Sequence, residues 1–92
     1  MGTFQNSETV RTLQDLGALV RSQRKASGLR IDDAAALCGV SVDLLSRLEN
    51  GRSGISSDRL LKVLDGLGLS MLIMEKSKAA KALSALSIAS HK

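Results

Sequence analysis

The chain contains no proline, tryptophan or tyrosine, and one each of phenylalanine, cysteine and histidine in 92 residues. Without proline no residue breaks a helix by force, so element boundaries fall to glycine. With Phe4 the sole aromatic residue, any core is built from Leu, Val, Ile, Ala and Met, a composition that favours helices. Cys38 alone excludes an intramolecular disulfide, and with His91 the only histidine there is no Cys/His zinc set. A reducing cytoplasm is the expected compartment, with no metal or other cofactor. Cys38 sits one residue before a glycine, where a small packing thiol suits; the alternative is a reactive thiol. Apolar runs such as 71–74 are far too short to span a bilayer, and no apolar segment follows a basic start, so no membrane partner or export is expected. This length provides one small domain with a modest core.

The formal charge of +4 is unevenly placed. Between Thr12 and Glu75 the cations and anions balance, and the surplus resides in Lys76, Lys78, Lys81 and Lys92. Bulk charge therefore does not identify a nucleic-acid partner; the positions of individual charges must.

Residues 1–11 are polar and without periodicity, and read as a flexible arm. Thr12, with Asp15 three residues on, resembles a capping box and starts a helix over about residues 13–26, with Leu13, Leu16, Leu19 and Val20 as its apolar stripe. Arg21, Arg24 and Lys25 suit the negative end of its dipole. Asp32 and Asp33 open a short second helix through Ala34, Ala35, Ala36, Leu37 and Cys38, which Gly39 ends. Ser56 or Ser57 caps a further helix lined by Leu60, Leu61, Val63, Leu64 and Leu67.

Between these lies GVSVDLLSRLENG, residues 39–51, the most informative stretch. Gly39 permits the left-handed backbone of a tight turn, Ser41 caps the following helix, and Asn50-Gly51 ends it. Leu44, Leu45 and Leu48 recur at helical spacing and must face a core, leaving Val42, Asp43, Ser46 and Arg47 outward. So short a link forces the two helices to cross steeply, as in a helix-turn-helix.

LSMLIM, residues 69–74, is short, apolar on both faces and bounded by glycine and by Glu75-Lys76, and reads as a strand; the alternative is an extension of the preceding helix, against which Gly66 and Gly68 argue. No second strand candidate exists, so the simplest pairing is with the same segment of a second copy, a homodimer sealed through Leu69, Met71, Leu72, Ile73 and Met74. The remainder, 76–92, reads as a flexible tail, the alternative being an amphipathic helix through Ala79, Ala82, Leu83 and Leu86.

The motifs at 16–69, and above all the glycine turn followed by S-x-x-x-L-S-R-L-E-N-G, resemble the Xre/Cro-type helix-turn-helix repressors of bacteria and phages. The terminal strand is similar to that of the HipB-like antitoxins. The resemblance implies an all-α, lambda-repressor-like bundle of four to five short helices with a C-terminal strand pairing across a dimer. Its domains are a flexible arm (1–11), a helix-turn-helix domain (12–68), a dimerisation strand (69–75) and a flexible tail (76–92).

It also implies that Ser41, Val42, Asp43, Ser46 and Arg47 face a DNA groove, and that Asn50, Gly51 and Arg52 meet phosphates. Arg24 and Glu49 correspond to a family ion pair tying the first helix to the end of the recognition helix, with Arg24 left near the DNA backbone; the alternative for Glu49 is a solvated charge. Two positions depart from the family pattern. Arg30-Ile31 replaces the usual Thr-Gln pair, so Arg30 becomes the phosphate contact while Ile31 cannot hydrogen-bond. Val42-Asp43 replaces a first-turn amide: Val42 suits a thymine methyl, and Asp43 either accepts from a cytosine amino group or simply serves the helix dipole. Arg47 is then the best reader of guanine.

The expected function is a sequence-specific repressor of double-stranded operator DNA, acting as the autoregulating antitoxin of a HipA-like serine/threonine kinase. Alternatives are a stand-alone regulator without a toxin and a protein-binding adaptor that no longer binds DNA. No nucleophilic triad, phosphate-cradling glycine loop or metal cluster suggests an enzyme, and a helix start explains Asp32-Asp33.

Overall fold

The computed structural model describes residues 9–90 and side chains up to residue 85, and contains five helices: α1 (Leu13–Ala26), α2 (Ile31–Cys38), α3 (Val42–Glu49), α4 (Ser57–Gly66) and α5 (Lys76–Ser90). The expected arm falls outside the described residues as far as residue 8; residues 9–11 are exposed and precede the first helix. His91 and Lys92 also lie outside them.

Local chemistry sets each helix start. The Thr12 hydroxyl accepts from the Asp15 N–H at 3.0 Å while the Asp15 carboxylate accepts from the Thr12 N–H at 3.2 Å, the reciprocal box anticipated from the sequence. Ser41 accepts from the Leu44 N–H at 3.0 Å, and Ser56 from the Arg59 N–H at 3.3 Å. The second helix differs from expectation: it begins at Ile31 rather than at the aspartates, with Arg30 extended at its cap and contributing no side-chain bond. Asp32 and Asp33 fall in its first turn, where the dipole favours them. Gly39 then takes φ 71°, ψ 33°, leaving only Val40 and Ser41 before α3.

The core is aliphatic. Val20 of α1, Ala34 and Ala35 of α2, Leu45 and Leu48 of α3, and Val63 and Leu64 of α4 meet with Cys38 and Leu67 in one cluster. Leu45, Val20 and Val63 are its largest fully buried side chains, each contributing roughly 1.5–3 kcal/mol by leaving water. Leu61, grouped with the core-lining residues of α4 by the sequence pattern, points outward instead.

Two glycines let helices touch. A Cβ at Gly17, in the middle of α1, would lie 2.7 Å from the Glu49 carbonyl oxygen and collide with that of Leu48. A Cβ at Gly66 would sit 2.7 Å from Cys38 Sγ and 3.0 Å from its Cα, so the residue read as loosening the end of α4 is where α4 crosses α2. The α1 end is tied to α4 as well, Gln23 Nε2 donating to the Leu67 carbonyl at 2.9 Å.

After Leu67 caps α4, the extension of that helix is ruled out and residues 69–75 run on without helix or ladder. A strand needs a neighbour, and the described residues offer none. Leu69, of the expected dimer-forming set, is half-buried, packs on the domain's own core, and donates its N–H to the Leu64 carbonyl at 2.8 Å. Met71, Leu72, Ile73 and Met74 are exposed. The expected tail is helical from Lys76 to Ser90. Its Ala, Leu and Lys residues are strong helix formers with no glycine or proline among them, and the Glu75 backbone carbonyl accepts from the Ala79 N–H at 2.9 Å to start the first turn. No helix among the described residues is long and apolar enough to cross a membrane.

Candidate nucleic-acid interface

One side of α3 closes onto the core and the other faces out. Leu45 and Leu48 are buried, Leu44 packs against the core, and Ser41, Val42 and Asp43 are exposed, with Ser46 and Arg47 partly so. The outward set is the one expected from the helical period.

This helix is held rigidly at its C-terminal end. Arg24 of α1 donates through Nε to Glu49 Oε2 at 2.6 Å and through Nη2 to Oε1 at 2.9 Å, a bidentate pair whose side chains are only 11% and 5% exposed. Arg24 Nη1 also donates to the Leu29 carbonyl at 3.0 Å. The bond to Glu49 holds the Arg24 pKa above its ordinary value, outweighing the opposite effect of burial. Glu49 is therefore not a solvated charge, and the Arg24 fork is engaged by protein on three nitrogens.

The remaining expected contacts divide by geometry. Arg47 Nη1 lies 3.8 Å from Asp43 Oδ2, one turn back on the same face, and its Nη2 donates to the Ser53 carbonyl at 3.2 Å. The expected guanine reader thus lies between an acid and the loop after α3. Asp43 itself is 82% exposed, in the first turn of its helix. Arg30 is exposed, 3.5 Å from Asp32. Asn50 uses Nδ2 to close the end of α3 on the Ser46 carbonyl at 2.7 Å.

Gly51 differs from expectation. It is buried at φ 72°, and a Cβ there would lie 2.9 Å from Gln14 Cα. Its N–H donates to the Leu48 carbonyl at 3.0 Å, so it serves the junction of α1 with α3. Arg52 is exposed directly after it.

The sequence reading did not single out Arg21 as a site residue. Here it lines a cleft of about 200 Å³ with Arg24, Ile31, Ser46, Glu49 and Asn50, where α1, α2 and α3 converge. Nor did it mark Gly17, although a glycine within an otherwise regular helical stripe is a propensity defect that usually signals close packing. Cys38 is a buried thiol whose Sγ lies 3.6 Å from the Val63 carbonyl, and burial pushes its pKa up. It is a packing residue of the core.

Known proteins share this arrangement. A helix-turn-helix domain family model matches residues 15–71. The uncharacterized HTH-type transcriptional regulator y4mF of Sinorhizobium fredii is 35% identical over 75 residues, covering 82% of this chain and 99% of that protein. The clp gene regulator ClgR of C. glutamicum superposes with a TM-score of 0.60 at 31% identity, over 88% of this chain and 94% of that one. A chain of the HipA-HipB-O2-O3 complex superposes with a TM-score of 0.69 over 76% of this chain and 99% of that one; at 20% identity this likeness is one of fold. With the buried-and-exposed division of α3 and its glycine turn, these matches place the chain in the helix-turn-helix family of transcriptional regulators.

Proposed function

We propose that this protein is a homodimeric, sequence-specific repressor that inserts α3 into the major groove of a two-fold symmetric operator. The observation that carries this reading is the sidedness of α3. Leu45 and Leu48 anchor it while Val42, Asp43, Ser46 and Arg47 form one outward strip, and a single helix fits the major groove with such a strip against base edges. In this reading Arg47 reads guanine after leaving the Ser53 carbonyl, and Arg30, Asn50 and Arg52 contact phosphates. Arg24 positions α3 through Glu49 rather than reaching the DNA.

A dimer presents two such helices to half-sites about 34 Å apart, one helical turn. The exposed Met71, Leu72, Ile73 and Met74 support pairing through residues 69–75, since an unpaired apolar segment invites a partner strand.

The test is selection of binding sites from random duplexes and from the DNA upstream of its own gene, followed by titration with wild type and Arg47→Ala. A palindromic selected sequence, with preference lost at one base pair per half-site in the variant, is expected. Unchanged affinity and preference in Arg47→Ala would remove Arg47 from the reading surface, and the absence of any selected sequence would sink the repressor reading.

A second, narrower reading is an antitoxin that neutralises a HipA-like serine/threonine kinase and represses its own operon. It is supported by the fold shared over 99% of a chain from the HipA-HipB-O2-O3 complex. Co-purification with the product of an adjacent kinase gene is the expected result. A gene with no such neighbour would leave the stand-alone repressor.

A further inference from the structure

We infer that the cleft between α1 and the end of α3 is a seat for a DNA backbone phosphate, and that Arg21 grips it; this rests on the repressor reading above. Arg21 is exposed and lines the cleft together with Ser46 and Asn50. Among the described residues no carboxylate lies within ion-pair distance of it, whereas Arg30 is near Asp32, Arg47 is near Asp43, and Arg24 is closed on Glu49.

The charges in the cleft decide what it attracts. Arg24 and Glu49 neutralise each other at 2.6 Å, so Arg21 leaves the cleft with a net positive charge that an anion can approach. Two neutral donors stand beside it: the Ser46 hydroxyl and the second amide hydrogen of Asn50, the first being used on the Ser46 carbonyl. One exposed cation with two short neutral donors is a set suited to phosphate oxygens.

The position of the cleft identifies the phosphate as one of the DNA backbone. Ser46 belongs both to the cleft and to the outward strip of α3, so the cleft borders the reading face. Arg21 stands on α1, outside the helix that would enter the groove, where phosphates rather than base edges line the rim.

The experiment titrates a selected duplex and an unrelated duplex with full-length wild type, Arg21→Ala, Arg21→Lys and Lys62→Ala across a range of salt. Lys62 is exposed on α4 in a separate hollow with Asp58, Arg59 and Asp65, and removes the same unit of charge away from the cleft. Arg21→Ala is expected to weaken both duplexes by about tenfold at low salt and to lower the salt slope by about one, with the preference between duplexes unchanged. Arg21→Lys recovers the slope, and Lys62→Ala leaves both quantities near wild type.

Equal losses in Arg21→Ala and Lys62→Ala would overturn the site in favour of a diffuse charge effect. A loss confined to the selected duplex would make Arg21 a base reader instead. Wild-type binding by Arg21→Ala would overturn the inference while the repressor reading stood, because wild type still prefers its selected duplex. Thermal unfolding of Arg21→Ala at the wild-type midpoint confirms that the variant is folded.

Discussion

Arg24 and Glu49 meet through two parallel hydrogen bonds, 2.6 and 2.9 Å long, and join the last turn of α1 to the last residue of α3. The pair is largely shielded from water, so removing one partner strands a charge rather than merely deleting a contact. Glu49→Ala is expected to lower stability by about 3 kcal/mol, read as a lower urea midpoint at unchanged slope. Arg24→Lys, which keeps the charge but loses the planar fork, should also be destabilised. A Glu49→Ala midpoint equal to wild type would show that the pair does not hold α3.

The close approach at Gly17 sets two effects of known size against each other. Alanine in place of glycine within a helix should add up to about 1 kcal/mol on propensity alone. The added Cβ, however, meets the Leu48 and Glu49 carbonyls, which belong to a helix already fixed by Arg24. Overpacking of that kind costs roughly 1–3 kcal/mol, so Gly17→Ala is expected to be destabilised overall and to bind DNA less well as α3 tilts. A higher melting temperature for this variant would disprove the contact.

Much of this architecture was legible because short-range chemistry specifies it. The Thr12/Asp15 box, the Ser41 and Ser56 caps, the Gly39 turn and the leucine spacing of α3 are all local, and each appears as expected. What the sequence did not reveal depends on elements distant in the chain. Gly17 against Leu48, Gly66 against Cys38, Gln23 on the Leu67 carbonyl and the burial of Gly51 against Gln14 are meetings that no local pattern encodes. Leu61, in the middle of α4, falls about 100° away from the stripe formed by Leu60, Val63, Leu64 and Leu67, so the helical period turns it outward, whereas Leu69, beyond the helix, has no periodic partner to orient it. At the site, helical period identified the outward strip, but not that Arg47 would lie against Ser53 or that Arg21 would share a cleft with Ser46.

Asp43 is the acid of the outward strip of α3, and Arg47 is its only neighbouring cation within ion-pair distance among the described residues. In an exposed position the pair adds little stability, but in the proposed repressor the Asp43 carboxylate would hold Arg47 back from phosphates. Asp43→Asn is therefore expected to tighten binding to an unrelated duplex and to steepen its salt dependence by about one, so that the preference for the selected duplex narrows. This effect should vanish when Arg47 is already alanine. A change confined to one base pair, with binding to the unrelated duplex unaltered, would instead mark Asp43 as an acceptor for a cytosine amino group.

Leu72 and Ile73 are 75% and 87% exposed, next to the exposed Met71 and Met74. They contribute nothing to the core of their own chain, so substitutions there should separate association from folding. Ile73→Lys is expected to sediment as a monomer and to unfold near wild type when extrapolated to low concentration. Its affinity for a two-half-site operator should fall by about a hundredfold or more, because one contact is no longer tethered to the other. A dimeric Ile73→Lys protein would move the interface away from residues 69–75.

Cys38 gives the fold a dependence on alkaline pH. Burial raises the pKa of its thiol above the ordinary value of 9.0, which the unfolded chain restores. The folded state therefore holds its proton more tightly, and the corresponding stability is complete below about pH 9 and declines as pH rises through the higher folded value. Urea midpoints measured from pH 7 to pH 10.5 should thus fall more steeply for wild type than for Cys38→Ala, with a difference in slope of at most about 1.4 kcal/mol per pH unit. Because alanine also removes packing against Gly66 and Val63, the comparison rests on the slopes rather than on the midpoints at any one pH. Parallel curves would show that the thiol ionises as readily in the folded protein as in the unfolded chain.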